Sequence, residues 1–94
     1  MVRNESAVVV LVSKEDLMIL KKLCKTLNKD LETLLHEALS LGIKKLRLEK
    51  AIELYVNGKA SLWGAAELAG LDYRSFEEEL RRRNIKFRYP GDDF

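Results

Sequence analysis

The sequence predicts a mainly α-helical homodimer, with one N-terminal strand per chain and an appended C-terminal helical hairpin. Three observations predict it. A single β-branched run, AVVVLV at residues 7–12, has no convincing second strand before the C-terminal tail. Apolar residues recur at helical spacing through most of the chain beyond that run. Small residues and a glycine then stand where two short helices would cross, from Ala65 to Phe76.

The strand carries the argument for a dimer. A lone strand leaves its backbone N–H and C=O groups unpaired, and burying each one that way costs roughly 1–3 kcal/mol. The simplest remedy is the same strand from a second copy, paired antiparallel about a two-fold axis. Val8, Val10 and Val12 share one parity and are expected at the dimer interface, together with Leu34 and Leu35 from the helix below.

Ser13 follows the strand and Asp16 stands three residues later, a helix-start signal. Leu17, Leu20, Leu23, Cys24 and Leu27 form the apolar stripe of a first helix, and Asn28 is placed to stop it in the left-handed region. Asp30 is a second N-cap, with Glu32 in the first turn. Leu31, Leu34, Leu35, Ala38 and Leu39 line a second helix up to Gly42. Periodicity resumes through Ile43, Leu46, Ile52, Tyr55 and Val56, and Asn57-Gly58 closes it; the pattern leaves open a bend at Gly42. From Ser61 the chain reads as two short helices joined at Gly70. Ile85, Phe87 and Tyr89 then alternate with Lys86 and Arg88, the period of a short extended arm ended by Pro90-Gly91. The expected divisions are a dimerisation unit at 7–42, a linker helix plus hairpin at 43–84, and a basic tail at 85–94.

Composition narrows the function classes. The 94 residues make one domain, or two very small units sharing a core. At 47% hydrophobic and 34% charged, the chain lies in the folded regime. A net charge of +2 is too small to imply nucleic-acid binding by itself. One cysteine, Cys24, permits no intrachain disulfide. With no signal-peptide pattern and no apolar run long enough to span a bilayer, a cytoplasmic protein without membrane attachment is expected.

Enzyme chemistry is not expected either. His36 is the only histidine, and it has only Glu32 and Glu37 nearby. Cys24 lies on an apolar stripe, and the glycines fit turns or close helix contacts rather than a phosphate loop. No metal and no cofactor are expected.

The order of strand, helix, short turn and helix from Ala7 to about Leu41 resembles the ribbon-helix-helix family. The strand leading into the Ser13 cap, the Asn28 turn and the Asp30 cap carry the resemblance. It implies two intertwined chains whose paired strands enter the DNA major groove, with the N-terminus of the second helix against a phosphate. This chain departs from that pattern at the reading face. Ala7, Val9 and Leu11 carry no donor or acceptor and could make only apolar contacts such as thymine methyls. Asp30 and Glu32 would repel a phosphate. The alternative is a ribbon that serves as a dimerisation device covered on both faces.

LWGAAELAGLDYRSFEEEL resembles a helix-turn-helix motif. Ala66 is the small residue at the helix crossing, Gly70 sits four residues later at the turn, Ala69 and Leu71 flank it, and Phe76 is the buried residue of the second helix. Leu80 lies one turn beyond, and Glu79 stands where an aliphatic is usual. As a recognition helix it would present Tyr73, Arg74, Ser75, Arg81 and Arg82 to DNA. Arg74 would reach a guanine edge, and Arg81 to Arg83 would hold phosphates. A plain packed hairpin would need the same Ala, Gly and Phe for steric reasons.

Both halves together, and the stretch LRLEKAIELYVNGKASLWGAAELAGL in particular, resemble short antitoxin-like proteins often encoded beside PIN-domain toxins. That resemblance implies a dimer that binds its own operator and neutralises a PIN-type ribonuclease. The alternative is a dimeric protein-interaction module that does not bind DNA. In the tail, Arg81, Arg82, Arg83, Lys86 and Arg88 form a basic cluster interleaved with aromatics. It could follow a nucleic-acid backbone, or fold back on the domain through Ile85, Phe87 and Tyr89. The resemblance favours a third use, in which Ile85, Phe87, Arg88 and Tyr89 face the toxin and Arg88 enters its acidic metal site.

Overall fold

A computed structural model describes residues 6–87, and among them the chain is mainly α, with four helices and no strand. The helices are α1 (Lys14–Leu27), α2 (Leu31–Val56), α3 (Leu62–Ala69) and α4 (Tyr73–Arg82). The chain divides into two compact units, one ending at Glu37 and the other beginning at Ala38.

In the first unit, the Ser13 hydroxyl accepts the Asp16 N–H at 3.0 Å and starts α1. Asn28 ends it with φ 56° and ψ 48°, and the Lys29 N–H returns to the Cys24 carbonyl at 3.0 Å. Asp30 accepts the Thr33 N–H at 3.1 Å and opens α2. Lys29 and Glu37 pair across the first turns of that helix. The side-chain bond from Thr33, then its backbone bond, hold the Asp30 carboxyl below its usual range. With that carboxylate on its own N-cap, the start of α2 is supplied with negative charge from within the chain.

Residues 7–12, expected as a strand, form none here. The physical reason is that a β-ladder needs two strands, and a single chain brings one. Val8, Val9, Val10 and Leu11 are 83%, 92%, 72% and 96% exposed, and Val12 is exposed as well. Of the other residues expected at a dimer interface, Leu34 is buried and Leu35 is 40% exposed. No residue of α1 is buried; Met18, Ile19, Leu23 and Leu27 are exposed.

The second unit has a core of its own. α2 passes through Gly42 without interruption. It ends where Asn57-Gly58 turns out of the helix, Gly58 at φ 74°, with the Lys59 N–H on the Leu54 carbonyl at 2.8 Å. Ala51, Ile52 and Tyr55 from its last turns pack with Leu62, Ala65, Ala66 and Ala69 of α3 and Phe76 and Leu80 of α4. Tyr55 and Phe76 meet edge to face, centroids 6.2 Å apart. The alanines keep α3 thin enough for α4 to cross it closely. Because α3 and α4 cover only the end of α2, Ile52 and Tyr55 of the predicted stripe are buried, whereas Ile43 and Leu46, earlier in the helix, are exposed; Val56, its last residue, is exposed as well.

Among the described residues, no helix is long and apolar enough to cross a membrane.

Candidate nucleic-acid interface

The α3–α4 hairpin is held by three caps and one arginine. The Ser61 hydroxyl accepts the Gly64 N–H at 3.0 Å and begins α3. Gly70 ends it at φ 74° and ψ 26°, a left-handed C-cap. Two residues on, the Asp72 carboxylate accepts the Ser75 N–H at 2.6 Å and begins α4. The backbone and side-chain bonds from Ser75 hold the Asp72 carboxyl below its usual range, and the charge of Arg74 adds to the effect.

The arginine is Arg47 of α2. Its Nε donates to the Leu68 carbonyl at 2.8 Å, and its Nη2 to the Glu67 carbonyl at 3.3 Å. A cation on the last carbonyls of α3 satisfies acceptors left over by the helix and complements its dipole. The guanidinium lies directly over Gly70, where an added Cβ would sit 2.8 Å from Nη1. Gly70 is thus favoured twice, by its backbone conformation and by the arginine above it.

α4 separates its charges by use. Arg83 donates from Nη1 and Nη2 to the two Glu49 carboxylate oxygens at 3.2 and 2.7 Å, and from Nε to Glu79 at 3.3 Å. Glu49 raises the Arg83 pKa further above its ordinary value, and Arg83 in turn holds Glu49 below the usual carboxylate range. Arg83, expected to hold phosphate with Arg81 and Arg82, is instead an internal tie between α4 and α2. Glu79 stands where an aliphatic was expected because it answers Arg83, and also Arg82 at 3.6 Å.

Arg74 and Ser75 are exposed at the start of α4, and Arg81 and Arg82 are exposed at its end. Tyr73 is half-buried, packed against the core, and tilted onto Trp63 with ring centroids 4.6 Å apart. Trp63 is 67% exposed, so the pair forms an aromatic surface beside Arg74. The Arg81 guanidinium carbon lies 5.4 Å from the centre of the Phe87 ring. Ile85 and Phe87, assigned from the sequence to a toxin-facing arm, pack partly buried on the hairpin core. Arg88 and Tyr89 lie outside the described residues.

The structure therefore gathers Tyr73, Arg74 and Ser75 at one end of α4, and Arg81 with Phe87 at the other. Sequence reasoning missed Arg47, Glu49 and the internal role of Arg83. No local pattern marks contacts 20 and 34 residues apart. The one signal in the sequence was Glu79, out of place in the motif. Among the described residues, no three His, Cys, Asp or Glu side chains gather as a metal would require.

Residues 18–94 match UPF0175, described as an uncharacterised protein family. A UPF0175 protein of Archaeoglobus fulgidus is 51% identical over 53 residues, which cover 52% of this chain and 61% of that one. One from Halobacterium salinarum is 39% identical over 59 residues, 60% of each chain. One from Aeropyrum pernix is 42% identical over 50 residues, 53% of this chain and 62% of that one. Each match thus spans about three-fifths of the length of the curated relative. No solved structure matches the chain.

Proposed function

The chain belongs to the uncharacterised family UPF0175, and we propose that it is a homodimeric, DNA-binding regulator of the antitoxin type. The observation that carries this reading is the capped α3–turn–α4 hairpin. Phe76 and Leu80 are buried beneath α4, while Arg74, Ser75 and Arg81 face solvent. A helix fixed at its N-terminus, with an exposed arginine in its first turn placed to reach a guanine edge, suits major-groove readout. The internal pairing of Arg83 also leaves the outward face of α4 less crowded with cations than the sequence suggests.

The N-terminal segment supports the dimer. Five consecutive apolar residues, Val8 to Val12, are exposed in one chain, and a second copy of the segment would both pair their backbones and cover them. Dimerisation would also present two hairpins to DNA, as a two-fold operator demands. Neutralisation of a PIN-type toxin is the remaining part of the proposal, with Arg88 and Tyr89 as the contacting residues. Charge reversal at Arg88 with toxin inhibition retained would refute that assignment.

The deciding experiment is binding of the purified protein to the duplex upstream of its own gene across a salt series. Sequence-preferring binding with a steep salt slope, weakened by Arg74→Ala, supports the regulator. Absence of sequence preference at every salt concentration rejects it. A specific observation also favours a second reading, a dimeric protein-interaction module. The apolar side chains exposed on α1, Met18 and Ile19 among them, offer a surface for a protein partner. That module would form a partner-dependent complex and shift no DNA.

A further inference from the structure

Past the end of α4, Arg81, Asn84, Ile85, Lys86 and Phe87 line an open groove of about 360 Å³. Its shape follows from the helix ending. Asn84 adopts φ 60°, and the Ile85 N–H returns to the Leu80 carbonyl at 2.9 Å, the left-handed closure that reverses the chain. Ile85 and Phe87 then rest on the core, and Lys86 between them stays exposed.

The groove's cations differ from their neighbours. Arg82 and Arg83 are engaged by Glu79 and Glu49. Among the described residues, no carboxylate lies within ion-pair distance of Arg81 or Lys86. Arg81 is nevertheless steadied, because its guanidinium lies over the Phe87 ring and Phe87 is itself anchored on the core. A guanidinium held on an aromatic face loses less freedom when its N–H fork takes an oxyanion.

We propose that this groove is a clamp for one DNA backbone phosphate. Arg81 and Lys86 supply the charge, and Phe87 is a positioning residue for Arg81. The inference rests on the DNA-binding reading and deepens it. Arg81 follows Arg74 by seven residues, so the two lie near one face of α4, about 10 Å apart along the axis at about 1.5 Å per residue. A major groove is about 12 Å wide. With Arg74 at the base edges, the last turn of α4 therefore reaches the phosphate rim. The phosphodiester is favoured over a partner's carboxylate by this alignment with Arg74 on a single helix face.

The test is a fluorescence-anisotropy titration of the full chain with the duplex upstream of its own gene, at several salt concentrations. Replacing Arg81 and Lys86 together by Ala releases one phosphate and should shallow the log–log salt slope by about 0.9 per clamp engaged, each single variant giving part of that change. Phe87→Leu keeps the charge and should weaken binding about two- to fivefold, with Phe87→Trp restoring it and thermal melting separating this from misfolding. A wild-type slope in the double variant, with binding still dependent on Arg74, would overturn the clamp and leave the regulator reading standing. Failure of the wild-type protein to bind the duplex would overturn both.

Discussion

Gly70→Ala probes the joint on which the hairpin turns. At φ 74° the new side chain meets the left-handed penalty, about 1–2 kcal/mol for an L-residue. Its Cβ also enters the space of the Arg47 guanidinium, 2.8 Å from Nη1 and 2.9 Å from Cζ. The guanidinium is the far end of a flexible side chain and can swing away. Doing so, however, abandons the Leu68 and Glu67 carbonyls. The bonds are solvent-exposed, so their joint loss is worth about 1 kcal/mol. Gly70→Ala should therefore cost about 2–3 kcal/mol and Arg47→Ala about 1 kcal/mol. The double variant should cost about 2–3 kcal/mol as well, since the arginine's bonds can be lost only once. Urea denaturation of all four proteins at one fixed concentration measures this, the concentration being held because the stability of the proposed dimer would depend on it. Strict additivity, with a coupling below about 0.3 kcal/mol, would refute the claim that Arg47 and Gly70 form one unit.

Acid should weaken the tie between α4 and α2. Glu49 is held below its ordinary value by Arg83, so its contribution is complete above the unfolded carboxylate pKa of about 4 and lost as pH falls through the lowered folded value. In Glu49→Gln that part of the acid limb should flatten in melts recorded from pH 6 to 2; an unchanged limb would assign the acid sensitivity to other groups. Phe76→Ala removes the fully buried ring that joins α4 to Tyr55 and should cost about 3–5 kcal/mol, read by chemical denaturation, with DNA binding lost alongside. Val10→Lys should leave the hairpin's melting intact but convert the proposed dimer to monomer in sedimentation equilibrium. A persistent dimer would move the self-association surface away from residues 7–12.

Local chemistry makes much of the chain legible from its residues alone. Ser13, Asn28, Asp30, Asn57-Gly58 and Gly70 each mark a helix end through their own side chain or backbone freedom, and each stands at one in the structure. Ala66, Phe76 and Leu80 are recognisable as hairpin packing because steric demand at a helix crossing fixes residue size as well as polarity. The same reasoning fails where an interaction spans distant parts of the chain. Arg47 on the carbonyls of Glu67 and Leu68, and Arg83 on Glu49, join positions with no periodic relation. An exposed arginine reads alike in sequence whether it caps a helix, closes an ion pair or waits for a phosphate.

Sequence by itself therefore marked most of the helix ends, though not the passage of α2 through Gly42 or the Asp72 cap, and which residues could pack between helices, because caps, turns and periodicity act over a few neighbouring residues. The β-branched run at residues 7–12 also predicted a strand and hence a partner copy, and a single chain forms no strand there. Tertiary structure alone decided which of the clustered arginines are already engaged and which remain outward. It also showed that Ile85 and Phe87 return to the core, with Phe87 beneath Arg81. Those outcomes depend on distances across the fold, and a guanidinium's role is set by whichever carboxylate, carbonyl or ring the folded chain brings within reach.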